Sequence, residues 1–395
     1  MSDTSSTPDG RDVVLVAHPS AECYGSDLQM VETVRACLER GAQVVVTLPG
    51  DGPLVPVLRA AGARVLLMDV PVLRRSMLSS RGLLGLAVGA ATALRGQLRM
   101  IRRTGAGCVL VNTLTIPTWL AAARLAGVRA VCHVHEAEDT GPWAVRAALA
   151  APLLAAHAVV ANSAASRAAV VGVVPALAAR TRVVHNGVGE PGRPTGALRD
   201  RVPGDPATVV LVGRLSLVKG TDVALEAVAA LRDEGRPVRL LLAGAVFAGY
   251  EWFERRLRDR AARADLDGAV DFLGYVDPWP CYEAADVVIV PSRIESFGNV
   301  AVEAMLAGRP VVASRTQGLV EVVRDGVDGT LVEPEEPAAL ARAVAAVLDD
   351  PRWARARAER AAGQARERFS VPAYHSAIWA AVMPARAEDD VDFAR

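Results

Sequence analysis

Short apolar runs alternate with stretches of helical spacing along most of the chain. Residues 12–20, DVVLVAHPS, form an apolar run that ends in turn residues and predicts a buried strand. SDLQMVETVRACLERG follows with apolar positions at Leu28, Val31, Val34 and Leu38, a helical repeat that Gly41 is placed to stop. AQVVVTLPG predicts a second strand, and GPLVPVLRAAG and ARVLLMDV repeat helix then strand. GCVLVNT, RAVCHVHE and AHAVVANS predict three more strands, each after a helical stretch. Strands that are apolar throughout, not at alternate positions, are covered on both faces, as in parallel βαβ units. The alternation pauses over residues 185–208, rich in Gly, Pro and charge, and this reads as a linker. It resumes with TVVLVGR, VRLLLAG, AVDFLGYV, ADVVIVPS, RPVVAS and GTLVEP. The fold class predicted is α/β: two doubly wound domains, residues 1–185 and 208–371, joined by a linker over 186–207 and facing each other across a cleft at the carboxyl ends of their strands. The tail, residues 372–395, contains VPAYHSAIWAAVMPAR, long enough for a helix that packs back across the domain joint.

Composition narrows the class. With 51% apolar residues and balanced charge, 395 residues can bury two large cores and are not a disordered chain. The five cysteines, Cys23, Cys37, Cys108, Cys132 and Cys281, are scattered without a CxxC pair, which points to free thiols in a reducing cytoplasm. The start, MSDTSSTPDGRD, is polar and acidic, unlike a signal peptide. The most apolar stretches, residues 83–94 and 147–161, fall short of the about 20 apolar residues a membrane span requires. Net charge is zero, yet nine arginines and no acid lie between Asp69 and Glu136. Arg74, Arg75, Arg81, Arg95, Arg99, Arg102 and Arg103 surround one apolar stretch, with Leu94, Leu98 and Ile101 on a separate helical side. This segment reads either as a solvated surface or as a patch for an anionic membrane or acceptor. No aromatic-interleaved basic motif appears, so nucleic acid is not an expected partner.

Two stretches carry chemistry. In VVLVGRLSLVKGTDVALEAV a strand ends near Gly213, Arg214 and Lys219 follow in the loop, and a helix starts near Thr221. Lys219 is the only lysine beside 43 arginines. A fork and a compact ammonium between a strand end and a helix N-terminus suit an anion, though the spacing is not a Walker A loop. In ADVVIVPSRIESFGNVAVEAMLAGRPVVAS a strand ends near Ser292, a loop holds Glu295, Ser296, Phe297 and Gly298, and a helix begins at Asn299 with Glu303 one turn inside. The amides from Phe297 to Val300 open toward a second anion, and two carboxylates eight residues apart suit hydroxyl-rich ligands. His133 and His135, in CHVHE, read as buried histidines with backbone partners or as site residues; Asn162 and Ser163 read as helix caps or as lining the acceptor side.

GRLSLVKG and the Glu-x7-Glu of ESFGNVAVE resemble retaining glycosyltransferases of family 4, which have the GT-B fold, and the resemblance spans nearly the whole chain. It implies transfer of a hexose-type sugar from a nucleotide diphosphate sugar to an acceptor hydroxyl, with retention; no metal or cofactor is expected, because the cationic loop and helix start can stabilise the leaving diphosphate and no DxD-like acidic pair lies near the site. By that resemblance Arg214 and Lys219 bind the diphosphate, Glu303 the ribose hydroxyls and Glu295 the donor sugar. The backbone after Gly274 meets the base at Tyr275 and Val276, and His135 faces the donor sugar. Gly25 is what remains of a loop that commonly carries Gly-Gly, and with Phe297, Gly298 and Asn299 it joins the donor-binding set. Gly189 stands where the family's NGxD has Asp, and Ser296 where Gly is common. The mechanism implied is front-face attack, in which the leaving phosphate takes the acceptor proton and Glu295 positions the sugar. Cell-envelope polysaccharide or glycolipid assembly at the inner face of the plasma membrane fits the arginine-rich segment. The alternatives are a soluble natural-product acceptor, a nucleotide-sugar epimerase of the same fold, and a nucleotide-sugar sensor.

Overall fold

Seven strands whose interiors are almost wholly apolar form the first sheet: β1 (Val13–Ala17), β2 (Gln43–Leu48), β3 (Arg64–Leu67), β4 (Cys108–Val111), β5 (Arg129–Val134), β6 (Ala158–Ala161) and β7 (Thr181–Val183). All pair in parallel, in the order β3-β2-β1-β4-β5-β6-β7. The computed structural model describes residues 13–69, 72, 80–137, 141–193, 195–198 and 204–383, with the side chains of 80–88 and 90 excepted. The readings of residues 1–12, of Arg74, Arg75 and the Arg81 side chain, of part of the linker and of residues 384–395 lie outside these. Edge strand β7 is absent from the sequence reading: at three residues, with Arg182 and Val183 exposed, it carries no apolar period.

The helix Gly25–Glu39 buries Met30, Val31, Val34 and Cys37, while Leu28, expected on that stripe, is 47% exposed. The buried stripe is rotated toward Met30 and Cys37, where the last helix, Val371–Val382, completes the cover. Its Ile378 and Val382 join Val14, Val16 and Met30 in one core. The Tyr374 hydroxyl meets Thr33 Oγ1 at 2.5 Å, and His375 lies between Glu39 (2.8 Å) and Glu32 (3.1 Å). The first unit therefore consists of the chain up to Gly187 and the stretch from Val371 onward. In the helix Ser80–Thr104, Ala93 and Ile101 are buried and Leu94 and Leu98 pack against the core, while Arg95, Arg99, Arg102 and Arg103 are exposed. Among the described residues no helix is long and apolar enough to cross a membrane.

The second unit, Val188–Ser370, repeats the scheme with β8 (Ala207–Val212), β9 (Val238–Ala243), β10 (Val270–Gly274), β11 (Val287–Val290), β12 (Val311–Ser314) and β13 (Thr330–Val332). The order is β10-β9-β8-β11-β12-β13, again all parallel. Much of the stretch read as linker is packed onto this unit. Val188 N donates to the Phe369 carbonyl (2.9 Å) and Thr195 Oγ1 to that of Ala307 (3.0 Å). The buried Arg309 ties the Gly196 carbonyl (2.8 Å) to that of Tyr282 (2.8 Å). Gly- and Pro-rich composition marks the absence of helix and strand there, not the absence of packing.

Candidate functional site

In the second sheet the strand order reverses between β8 and β11, and open parallel sheets bind ligands outside the carboxyl ends of strands at such a point. Arg214 and Lys219 follow β8, and Ser292 and Glu295 follow β11, so both motifs converge at this point. Lys219 Nζ lies 2.5 Å from Glu295 Oε2, which Ser292 Oγ also approaches at 3.1 Å. Gly220 makes the approach possible. Its φ is +67°, and a Cβ there would stand 2.0 Å from the Pro291 carbonyl oxygen, so only glycine lets this loop lie on the end of β11. Arg293 clamps the same loop. Its backbone N–H donates to the Val218 carbonyl (2.8 Å), and its guanidinium to the Leu217 carbonyl (2.5 Å) and to both oxygens of Asp222 (2.9 and 3.0 Å).

Glu303 lies inside the helix Asn299–Leu306, and the hydroxyl of the buried Tyr282 donates to its Oε2 at 2.6 Å. Burial raises the Glu303 pKa above the usual carboxylate range, and the Tyr282 hydroxyl and the Lys219 ammonium pull it back. Lys219 thus acts electrostatically on both carboxylates. Gly298, at the helix start, has φ +110°, and a Cβ there would lie 2.6 Å from Leu319 Cδ2. The Phe297 side chain is core, packed edge-on to Phe369 at 5.4 Å between ring centroids, so only its backbone can serve a ligand. The Arg214 guanidinium stacks 3.9 Å from the centroid of the Phe247 ring. Gly274 ends β10, and Tyr275 after it is 67% exposed.

The first sheet has its own reversal, between β1 and β4. Backbone bonds carry the ladder one residue beyond each strand: His18 N to the Thr47 carbonyl (3.1 Å) and Asn112 N to that of Ala17 (3.0 Å). His18 and Asn112 are thereby set side by side, with Asn112 Nδ2 3.1 Å from His18 Nδ1. Asp27, from the first helix, meets His18 Nε2 at 2.8 Å, and Asn112 Oδ1 meets His135 Nε2 at 3.1 Å. Burial holds the His135 ring well below the usual histidine range, to about 3, with His18 adding to the shift. Glu136 next to it accepts from the Thr113 hydroxyl and from the His135 amide (3.0 Å), and burial raises its pKa. Gly25 is the first residue of the helix that carries Asp27. His133 is fully buried, with ring centroids 4.0 Å from His135; the backbone partner expected for it is absent among the described residues, where neither ring nitrogen has a hydrogen bond. Ser163 caps the helix Ala164–Val171, accepting from the Ser166 amide.

The structure thus brings together Lys219, Glu295 and Glu303 in the second unit and groups His135 with residues of the first. Sequence reasoning missed Tyr282, Ser292, Arg293, His18, Asp27 and Asn112. Tyr282, Ser292 and Asn112 touch Glu303, Glu295 and His135, while Arg293, His18 and Asp27 support those residues or their loops one contact further out; such relations leave no period in sequence, and His18 and Asn112, each one residue past an apolar strand, carried the one usable signal. Among the described residues no group of three or more His, Cys, Asp or Glu side chains is arranged to hold a metal ion.

Comparison with known proteins follows the two units. The family model for glycosyl transferases group 1 matches residues 199–368, and that for glycosyltransferase family 4 matches residues 25–189. D-inositol 3-phosphate glycosyltransferase 1 of Catenulispora acidiphila is 31% identical over 357 residues, covering 83% of this chain and 83% of that protein. D-inositol 3-phosphate glycosyltransferase of Acidothermus cellulolyticus is 40% identical over 185 residues, covering 43% of this chain and 41% of that protein. Among solved structures, HepE of Anabaena in complex with UDP and glucose superimposes with a TM-score of 0.77 at 24% identity, over 94% of this chain and 99% of that one. The two parallel sheets, their order and these matches agree on one conclusion: the chain is a glycosyltransferase of GT-B fold and belongs to glycosyltransferase family 4.

Proposed function

We propose that the protein transfers a hexose, with retention, from a UDP-type nucleotide sugar to an acceptor hydroxyl. The observation that carries this is the convergence of Lys219, Glu295 and Glu303 where β8 and β11 end. UDP as the nucleotide is supported by the UDP complex of HepE. Arg214, Lys219 and the amides at Thr221 hold the diphosphate, and their positive charge stabilises it as it leaves, so that no metal is required. Glu303 accepts from the ribose hydroxyls and Glu295 from a sugar hydroxyl, while His135 meets a substrate hydroxyl. An ammonium has three donors, so Lys219 keeps its bond to Glu295 while gripping phosphate. The acceptor oxygen bonds to the anomeric carbon, the bond from that carbon to the phosphate oxygen breaks, and the acceptor proton passes to the leaving phosphate.

For the acceptor we favour a phosphorylated inositol, supported by the relatives' activity. A lipid-linked acceptor at an anionic membrane surface inside the cytoplasm is the second reading, supported by the exposed Arg95, Arg99, Arg102 and Arg103 on one helix. The test is to incubate the protein with UDP-hexoses and EDTA, with inositol 3-phosphate or with anionic vesicles carrying polyprenyl phosphate-linked sugars, and to follow free UDP and the product anomer. UDP release that depends on an acceptor, with retained configuration, supports the proposal. Isomerised nucleotide sugar without an acceptor, an inverted product or loss of turnover in EDTA contradicts it.

A further inference from the structure

The hydrogen-bond chain Asp27–His18–Asn112–His135 has only one consistent assignment of protons for neutral rings. The Asp27 carboxylate can only accept, so His18 Nε2 carries the hydrogen of the 2.8 Å bond. Nδ1 of that ring then holds a lone pair, and Asn112 must offer it the amide NH2 across 3.1 Å. The other end of the amide, Oδ1, faces His135 Nε2 at 3.1 Å and requires a hydrogen there. Nδ1 of His135 makes no hydrogen bond among the described residues, and the ring is only partly buried. The three supporting side chains are sealed: His18 is 5%, Asp27 3% and Asn112 1% exposed. Such burial is costly for polar groups that do only structural work, and apolar residues could fill the same space.

We propose that Asp27, His18 and Asn112 are positioning residues that lock His135 as the neutral Nε2–H tautomer, so that it presents the Nδ1 lone pair and accepts a hydrogen bond from a substrate hydroxyl. The substrate half of this rests on the role proposed above for His135; the tautomer half does not. Burial independently keeps the His135 ring from protonating near neutral pH. A carboxylate that orients a histidine and selects its tautomer is a known device; here the selection passes through a second histidine and an amide.

The lock makes an uncommon prediction for Asp27→Asn. The Tyr24 amide donates to Asp27 Oδ2 at 2.9 Å, so the new side chain keeps its carbonyl oxygen there and turns its NH2 to His18 Nε2. His18 must then carry its proton on Nδ1, Asn112 must flip, and His135 must become the Nδ1–H tautomer. The loss of one charge inverts a ring three residues along the chain of contacts. In Asn112→Asp the new carboxylate accepts from both rings: His135 stays Nε2–H and His18 gains a second proton.

The test is ¹⁵N NMR of the imidazole rings in the 395-residue chain at pH 7.5 without ligand, with His135 assigned from His135→Gln and His18 from His18→Gln. Nε2–H in the wild type and Nδ1–H in Asp27→Asn are expected at His135. An Nδ1–H ring in the wild type, or an unchanged tautomer in a folded Asp27→Asn, overturns the lock. Should Asp27→Asn not fold, Asn112→Asp decides by whether His18 is doubly protonated. UDP-hexose turnover separates the functional half. Asp27→Asn should lose as much kcat/KM as His135→Gln, about tenfold for one hydrogen bond to substrate, and the double variant should lose no more. An inverted tautomer with unchanged kcat/KM rejects the role of His135 toward substrate and leaves the lock itself intact.

Discussion

At the scale of single residues, Lys219 stands alone among arginines where its compact ammonium reaches Glu295 at 2.5 Å; in the proposed reaction it also grips the diphosphate, which a guanidinium fork would fit less well. Lys219→Met should weaken UDP binding by about tenfold to a hundredfold, the worth of a charge-assisted hydrogen bond, in a calorimetric titration. It also leaves Glu295 without its cation, so turnover should fall further than binding. Tyr282→Phe removes the hydroxyl that donates to Glu303 and leaves a partly buried carboxylate poorly paired, at a cost of about 1–3 kcal/mol in denaturant unfolding. It should weaken UDP binding while leaving the KM for acceptor unchanged; an unaltered affinity for UDP would separate Tyr282 from the ribose site. The residue types and spacing of Lys219, Glu295 and Glu303 were legible in sequence, because together GRLSLVKG and the Glu-x7-Glu of ESFGNVAVE resemble the family pattern, whereas each alone is compatible with a solvated loop. Their supports were not, since Tyr282 reaches Glu303 from a separate helix and Arg293 reaches Asp222 across two loops.

At the scale of elements, strand runs and helical repeats sufficed to place twelve of the thirteen strands among the described residues, because strands buried on both faces are apolar end to end. The order of the strands was not legible, nor was the packing of the 188–198 stretch, which is held by carbonyl contacts that any sequence can make. Loop geometry depends on glycine at two points of the site. Gly298→Ala places a side chain at φ +110° and against Leu319. Backbone strain of this kind costs about 1–3 kcal/mol. Because Gly298 precedes the helix that carries Glu303, UDP affinity should fall together with stability. Gly41→Ala offers the contrast: it has positive φ but open space around it and lies far from these residues in sequence, so it should lower Tm with donor affinity kept. Equal loss of affinity in both variants would mean that the effect is global.

At the scale of the whole molecule, the first unit carries buried histidines that bear on its acid stability. His133 is held neutral by burial, as is His135, whose pKa is pushed down to about 3. The unfolded chain takes up protons on such rings near pH 6.5. Stability should therefore be full above about pH 6.5 and fall as the pH drops toward 3, each ring adding up to one proton to the slope. Urea melts at pH 7.5 and 5.0 should show the loss, and His133→Leu should flatten it; a wild type equally stable at both values would contradict neutral burial. The apolar stripe of the helix Ser80–Thr104 faces the core where it is described, so attraction to a membrane would rest on arginine charge alone and should vanish at high salt. Co-sedimentation with anionic liposomes at 20 mM and 500 mM salt, conditions on the order of a long and a short screening length, checks this. The central claim, that β8 and β11 converge on a donor site for sugar transfer, is tested most directly by UDP release from UDP-hexose on adding inositol 3-phosphate, comparing the wild type with Glu303→Gln and Lys219→Met. Acceptor-dependent release in the wild type that drops at least tenfold in both variants is the predicted result; variants that keep the wild-type rate would place the donor elsewhere.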